Sequence, residues 1–198
     1  MTAAHERLYL RTLHQLVAAG VPFGVLGTFA LRRQCPALPR RLVADCDLLL
    51  PPAPATLNAL TDLLLTSGWD VTLWEQPVAL PLQAADLAGK YYLRARQAGA
   101  VLDCAYENDF LSWPEFRAGC HWHHGLPLLT PAGILRQKAQ TGRPADLAVL
   151  RWWPACNPGK NQHLPNDSHP GIAVSAGHGD TAEPANSAPQ LGTAPSHT

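Results

Sequence analysis

Val43-Ala44-Asp45-Cys46-Asp47-Leu48-Leu49-Leu50 sets two carboxylates, two residues apart, in an otherwise apolar run that Pro51-Pro52 stops. A run of this length bounded by prolines predicts a strand over 43–50. On a strand, residues i and i+2 share a face, so Asp45 and Asp47 lie side by side while Cys46 and Leu48 point the other way. Adjacent carboxylates repel and lose hydration when buried, so the pair asks for a compensating cation. Paired hard oxygen ligands suit Mg²⁺, which keeps water or phosphate oxygens in its other positions. The alternative is a strand mouth where both side chains bond to backbone amides.

Two further features lie outward from this stretch. Asp103 occupies a second apolar run, Ala100-Val101-Leu102-Asp103-Cys104-Ala105-Tyr106. If the two strands are neighbours, three carboxylates converge into the ligand set of a two-metal in-line phosphoryl or nucleotidyl transfer. Upstream, Leu26-Gly27-Thr28-Phe29 places a Gly and a small hydroxyl residue where a strand turns into a helix. Such a turn lets backbone approach a phosphate, and the helix N-terminus supplies amide donors. It also reads as a tight turn with a Thr cap.

Around these motifs the periodicity alternates. Helices are predicted over 4–19, 28–33, 55–67, 131–140 and 144–152, with Leu8, Leu13, Leu16 and Val17 near helical spacing in the first. Strands are predicted over 22–27, 43–50, 70–74, 91–96 and 100–106, the last two joined as a hairpin through Gln97-Ala98-Gly99. Residues 35–41 read as a loop, and 107–130 carry no clear period. The fold class is α/β, with a mixed β-sheet flanked by helices.

Composition bounds the partners and the compartment. The 198 residues hold 15 Lys+Arg against 15 Asp+Glu, which excludes a polybasic chain that grips nucleic acid by bulk charge. With 46% hydrophobic residues there is material for a core, but no run is long enough for a membrane helix. His5, Glu6 and Arg7 interrupt any signal-peptide core at the N-terminus. Five scattered cysteines without a CxxC pair fit reduced thiols, so the expected location is cytoplasmic. Residues 154–198 hold seven Pro, five Gly and few large aliphatics, which predicts a folded domain over 1–153 and a disordered tail over 154–198.

The order strand, Gly27-Thr28, helix, loop, Asp45-Cys46-Asp47 and a later strand Asp103 resembles the minimal nucleotidyltransferase superfamily, the polymerase-β-like fold. Residues 125–131, Lys138 and Gly142-Arg143-Pro144-Ala145-Asp146-Leu147 are similar to the C-terminal segment of AbiEii-like small nucleotidyltransferases. The resemblance implies that Gly27 and Thr28 bind phosphate, that Asp45, Asp47 and Asp103 hold two Mg²⁺ ions, and that Asp103 is also the base. It implies nucleotide-binding roles for Arg41 and Lys138. The expected activity is transfer of a nucleoside monophosphate from an NTP to an acceptor hydroxyl on a small molecule, a protein or tRNA. A second expectation is a weak or inactive binding module, antitoxin-like, acting through a protein partner.

Three other clusters compete with this site. Cys120-His121-Trp122-His123-His124 reads as a partly exposed strand, a metal site or a surface that stacks on substrate. On a strand its ligands divide between two faces, which disfavours one Zn²⁺. Arg32, Arg33, Arg40 and Arg41 read as a solvated helix end and loop, or as phosphate binders. Lys90, Arg94 and Arg96 are positioned to extend that basic surface, with Arg94 and Arg96 on one strand face.

Overall fold

The DxD run becomes a strand shorter than its apolar length suggests. In the computed structural model, which describes residues 1–156, β2 spans Cys46–Leu49 and Asp45 stands just before it. The ladder with β1 (Gly24–Leu26) ends where Leu26 faces Asp47, because Gly27 turns the chain into α2 (Gly27–Gln34). On the other side the ladder with β6 (Ala100–Ala105) begins at Cys46. Asp45 therefore lies at the open end of the strand.

The sheet has eight strands in the order β4-β3-β5-β6-β2-β1-β8-β7. Its remaining strands are β3 (Asp70–Leu73), β4 (Gln76–Pro77), β5 (Tyr92–Gln97), β7 (Cys120–His123) and β8 (Leu126–Leu129). β2 runs parallel to β6 and antiparallel to β1, β5 and β6 form the expected hairpin, and β8 runs parallel to β1. The sheet is mixed.

β7, β8 and α5 (Trp113–Gly119) fall in the stretch that shows no clear period. Pro127 disguises β8, since proline withholds a ladder donor and argues against a strand with neighbours on both sides. All four β8 residues are nevertheless buried, and Val25 pairs with Leu128. In the expected loop 35–41, the chain forms a 3₁₀ turn over Arg40–Leu42.

Helix α1 (Ala3–Ala18) begins at Thr2, whose hydroxyl accepts from the His5 amide at 3.1 Å. Its Tyr9, Leu13 and Leu16 are fully buried. Each buried side chain of this size stabilises the fold by about 1.5–3 kcal/mol. Tyr9 meets Phe29 edge-on at 5.3 Å, and its hydroxyl accepts from the Val101 amide at 3.0 Å. The first helix is thereby fixed to the strand that carries Asp103. α3 (Pro54–Thr66) packs beside α1, and α4 (Ala84–Leu87) is a single turn.

Helix α6 (Pro131–Thr141) packs against α2 and against α7 (Pro144–Cys156). α7 runs through Pro154 to Cys156, past the boundary expected at residue 153. The rest of the expected tail, 157–198, lies outside the described residues. Among the described residues no helix is long and apolar enough to cross a membrane.

Candidate active site

Asp47 and Asp103 are register partners on parallel neighbours, and Asp45 joins them from the open end of β2. One carboxylate oxygen from each of the three lies within 4.8 Å of the others. Cys46, Leu48, Leu102 and Cys104 point into the core and are fully buried, so strand alternation presents Asp47 and Asp103 to the cleft. Burial, with Asp45 and Asp103 beside it, pushes Asp47 up to about 7, an effect that Lys138 and Arg143 partly offset. Burial and then Asp103 raise Asp45 as well. Among the described residues no Lys, Arg or His makes an ion pair with Asp45 or Asp47.

Gly27 has a second duty beyond shaping a turn. It adopts φ +69°, and a Cβ there would stand 1.9 Å from Oδ2 of Asp47. The carboxylate sits in the space that the missing side chain leaves, so Gly27 helps set its direction. Thr28 follows in the first turn of α2, nearly buried at the cleft wall.

A basic cluster shares the cleft. Lys138 on α6 is buried and donates to Oδ1 of Asp146 at 2.6 Å. Oδ2 of the same carboxylate accepts from Thr141 Oγ1 at 2.7 Å and from Arg143 Nε at 2.7 Å. Burial alone would raise Asp146. The hydrogen bonds from Arg143, Lys138 and Thr141 overcome this and hold it at about 2. One carboxylate thus positions two cations, and both act on Asp45 and Asp47 through space.

The cleft encloses about 740 Å³. Gly27, Thr28, Asp45, Asp47, Asp103 and Lys138 all line it, together with Arg94, Arg143 and the segment 107–110. Arg41 does not join them; it is exposed on the 3₁₀ turn and is not among the lining residues. Arg32, Arg33 and Arg40 gather on Glu6 at 3.9, 3.5 and 3.0 Å, so these cations anchor α1 rather than a phosphate. Arg94 enters the site as the partner of Asp103, and Arg96 is exposed.

The His-rich segment forms edge strand β7. His123 Nε2 donates to the Arg33 carbonyl at 3.2 Å, and Trp122 is two-thirds exposed. Among the described residues, Asp45, Asp47 and Asp103 form the only cluster of three or more side chains able to hold a metal.

Sequence reasoning places Arg94 on a basic surface rather than beside Asp103, and gives Asp146 no separate role. Arg94 had a signal, because it and Asp103 are equidistant from the Ala98-Gly99 turn. Asp146 had only its place in the Arg143–Leu147 segment.

Neither a family model nor a curated protein matches the sequence. Solved structures do match the fold. The crystal structure of ANT(2")-Ia in complex with adenylyl-2"-tobramycin superimposes with a TM-score of 0.52 at 14% identity. The match covers 79% of this chain and 90% of that one. The chain has the nucleotidyltransferase fold. Two provisionally assigned nucleotidyltransferases are also similar. One, from Thermotoga maritima, has a TM-score of 0.44 at 14% identity and covers 74% of this chain and 92% of its own. The other, from H. pylori, has a TM-score of 0.43 at 15% identity and covers 70% and 59%. In this nucleotidyltransferase fold, the carboxylate cluster and the Gly27-Thr28 turn line one opening, with Gly27 directly against Asp47.

Proposed function

We propose that this chain is a Mg²⁺-dependent nucleotidyltransferase that moves a nucleoside monophosphate from an NTP to an acceptor hydroxyl. The observation that carries the reading is the convergence of Asp45, Asp47 and Asp103, under-neutralised, in a cleft whose other wall holds Lys138 and Arg143. The donor set fits the metal: oxygen-only ligands at close range, with Asp47 driven toward its protonated form by burial and by the neighbouring Asp45 and Asp103. Asp45, Asp47 and Asp103 would hold Mg²⁺, which supplies charge neutralisation at the phosphates.

The chain's own groups divide the remaining work. The first turn of α2, at Gly27 and Thr28, offers amides and a hydroxyl to the triphosphate. Lys138 and Arg143, held by Asp146, oppose the charge of the departing pyrophosphate. The acceptor oxygen attacks the α-phosphorus, the bond to the pyrophosphate oxygen breaks, and Asp103 takes the hydroxyl proton. Catalysis is then mostly orientation and fixed charge. The acceptor enters beside Asp103, in a cleft that Tyr91 and the segment 107–110 also line. The co-crystallised adenylyl-2"-tobramycin shows that the same fold, in ANT(2")-Ia, accommodates a nucleotidylated small molecule.

Thermal unfolding with each NTP, with and without Mg²⁺, tests the reading. A ligand at 100 times its Kd stabilises the fold by about 2.7 kcal/mol. A Mg²⁺-dependent shift that disappears in Asp45→Asn is the expected result. No shift with any NTP would overturn the assignment and turn attention to a protein partner.

A further inference from the structure

Asp103 differs from the other two carboxylates in one respect: it already has a cation. Arg94 Nε donates to Oδ1 at 2.6 Å and Nη2 to Oδ2 at 3.0 Å, so both oxygens of Asp103 are engaged by one planar fork. The pair is built into the sheet. Arg94 and Asp103 are direct cross-strand partners in the β5–β6 hairpin, so the backbone has already placed the two side chains together. The guanidinium is also backed: its Cζ lies 5.1 Å from the Tyr92 ring centroid, and Tyr92 packs against Trp74 at 5.5 Å. Each member of the pair keeps only about a quarter of its side-chain surface exposed, at 27% and 22%.

A dinuclear centre in this cleft needs Asp103 as a ligand to its second ion. That ion would have to displace Arg94 from oxygens that it binds in bidentate fashion, or share them with a fixed positive charge. Charge points the same way. Before nucleotide binds, three carboxylates paired with one guanidinium are neutralised by a single divalent cation.

We propose that Arg94 takes the place of a second metal ion, so that the cleft holds one divalent cation, on Asp45 and Asp47, and a guanidinium at Asp103. The inference rests on the nucleotidyltransferase reading and narrows its metal site from three carboxylates to Asp45 and Asp47, with one ion where the resemblance implies two. Arg94 is a positioning residue: it aims Asp103 and supplies fixed charge on the acceptor side. The proton from the acceptor still passes to Asp103, which no bound metal shares.

Electron paramagnetic resonance of the full chain with Mn²⁺ and an α,β-methylene ATP analogue tests this without any turnover. Two ions sharing carboxylates give an exchange-coupled spectrum, which free Mn²⁺–nucleotide does not imitate. The wild type should show an uncoupled, protein-bound Mn²⁺ signal, and Arg94→Gln should show the coupled one. Arg94→Lys retains the charge and should stay uncoupled, which separates loss of the cation from loss of packing. Should Arg94→Gln fail to fold, Asp103→Asn carries the test, since one-ion binding should survive it. A coupled wild-type spectrum overturns the proposal while leaving the nucleotidyltransferase reading in place. So does an uncoupled Arg94→Gln, or loss of bound Mn²⁺ in Asp103→Asn. A wild type that binds no Mn²⁺ at all overturns both.

Discussion

Two ionic clusters share the cleft, and they are unbalanced in opposite senses. Asp45, Asp47 and Asp103 have one paired cation, Arg94, among three carboxylates. Asp146 has two, Lys138 and Arg143, with the Thr141 hydroxyl in addition. The consequence is visible in the acids themselves: Asp47 is pushed up to about 7, whereas Asp146 is held at about 2. A cluster that exists only for stability has no reason to remain short of cations. On the proposed function, the first receives a positive group from outside and the second a negative one, and a metal-bound triphosphate would supply both. On the function proposed above, catalysis falls to the first cluster and positioning to Asp146.

The largest expected effect comes from neutralising the first cluster. Asp45→Asn or Asp47→Asn should lower nucleotidyl transfer by more than about 100-fold, since even outer partners of metal sites cost about 10–100-fold. Stability should move the other way. Without divalent cations at pH 7, Asp47→Asn removes a strained carboxylate and should melt at a higher temperature than the wild type. Retained activity, or a lower melting temperature in the metal-free variant, would break the contrast.

Disrupting the second cluster should do the reverse. Asp146→Ala leaves the buried Lys138 ammonium without its partner, a loss of about 3–5 kcal/mol for a buried pair. A urea titration reads this directly as a lower midpoint. An unchanged midpoint would mean that Asp146 does not organise this wall.

Gly27→Ala comes next, because it forces a left-handed conformation on a residue with a Cβ and drives that atom against Asp47. The backbone strain alone costs about 1–2 kcal/mol. Mg²⁺-dependent nucleotide binding should weaken together with stability. Lost stability with unchanged binding would show that Asp47 does not depend on this seat.

The pH dependence separates the clusters again. Asp47 is raised when folded, so its contribution is fully present below the ordinary value of 3.8 and is lost as pH rises through about 7. Asp146 is depressed when folded, so its contribution is present above 3.8 and is lost as pH falls toward about 2. Metal-free melting temperatures should therefore decline between pH 4 and 7, and Asp47→Asn should flatten that decline. Each kcal/mol corresponds to about 2–4 °C in a domain of this size. A wild-type profile that stays flat from pH 4 to 7 would remove the evidence for an under-neutralised cluster.

Much of this contrast was legible in the sequence, though unevenly. The DxD run and Asp103 stand out because charge interrupts apolar runs, and alternation gives their common face. Gly27 was legible as a turn but not as the seat of Asp47, since that depends on how closely α2 approaches β2. The second cluster was nearly silent. Lys138, Thr141, Arg143 and Asp146 meet only because α6 and α7 turn back on each other at Gly142, and no periodicity records that they share one carboxylate. Pro127 concealed β8 for a different reason: burial overrode a local preference against proline in a paired strand. Arg94 was within reach, because a two-residue hairpin turn fixes which residues face each other.

The smallest effect is expected at Arg41, and it sharpens the contrast by subtraction. Sequence resemblance gives Arg41 and Lys138 the same nucleotide-binding role, but the fold treats them differently. Lys138 is buried against Asp146 in the cleft wall, whereas Arg41 is exposed on the 3₁₀ turn and outside the lining. An exposed side chain without a structural partner changes stability by about 0.5 kcal/mol or less when truncated. Arg41→Ala should therefore leave both the melting temperature and the Mg²⁺-dependent NTP shift unchanged, while Arg143→Ala reduces the NTP shift with little loss of stability. If Arg41→Ala instead weakened nucleotide binding as strongly as Arg143→Ala, the turn at 40–42 would have to close over the cleft when nucleotide binds. The positive side of the site would then come from two walls rather than from the Asp146 cluster alone.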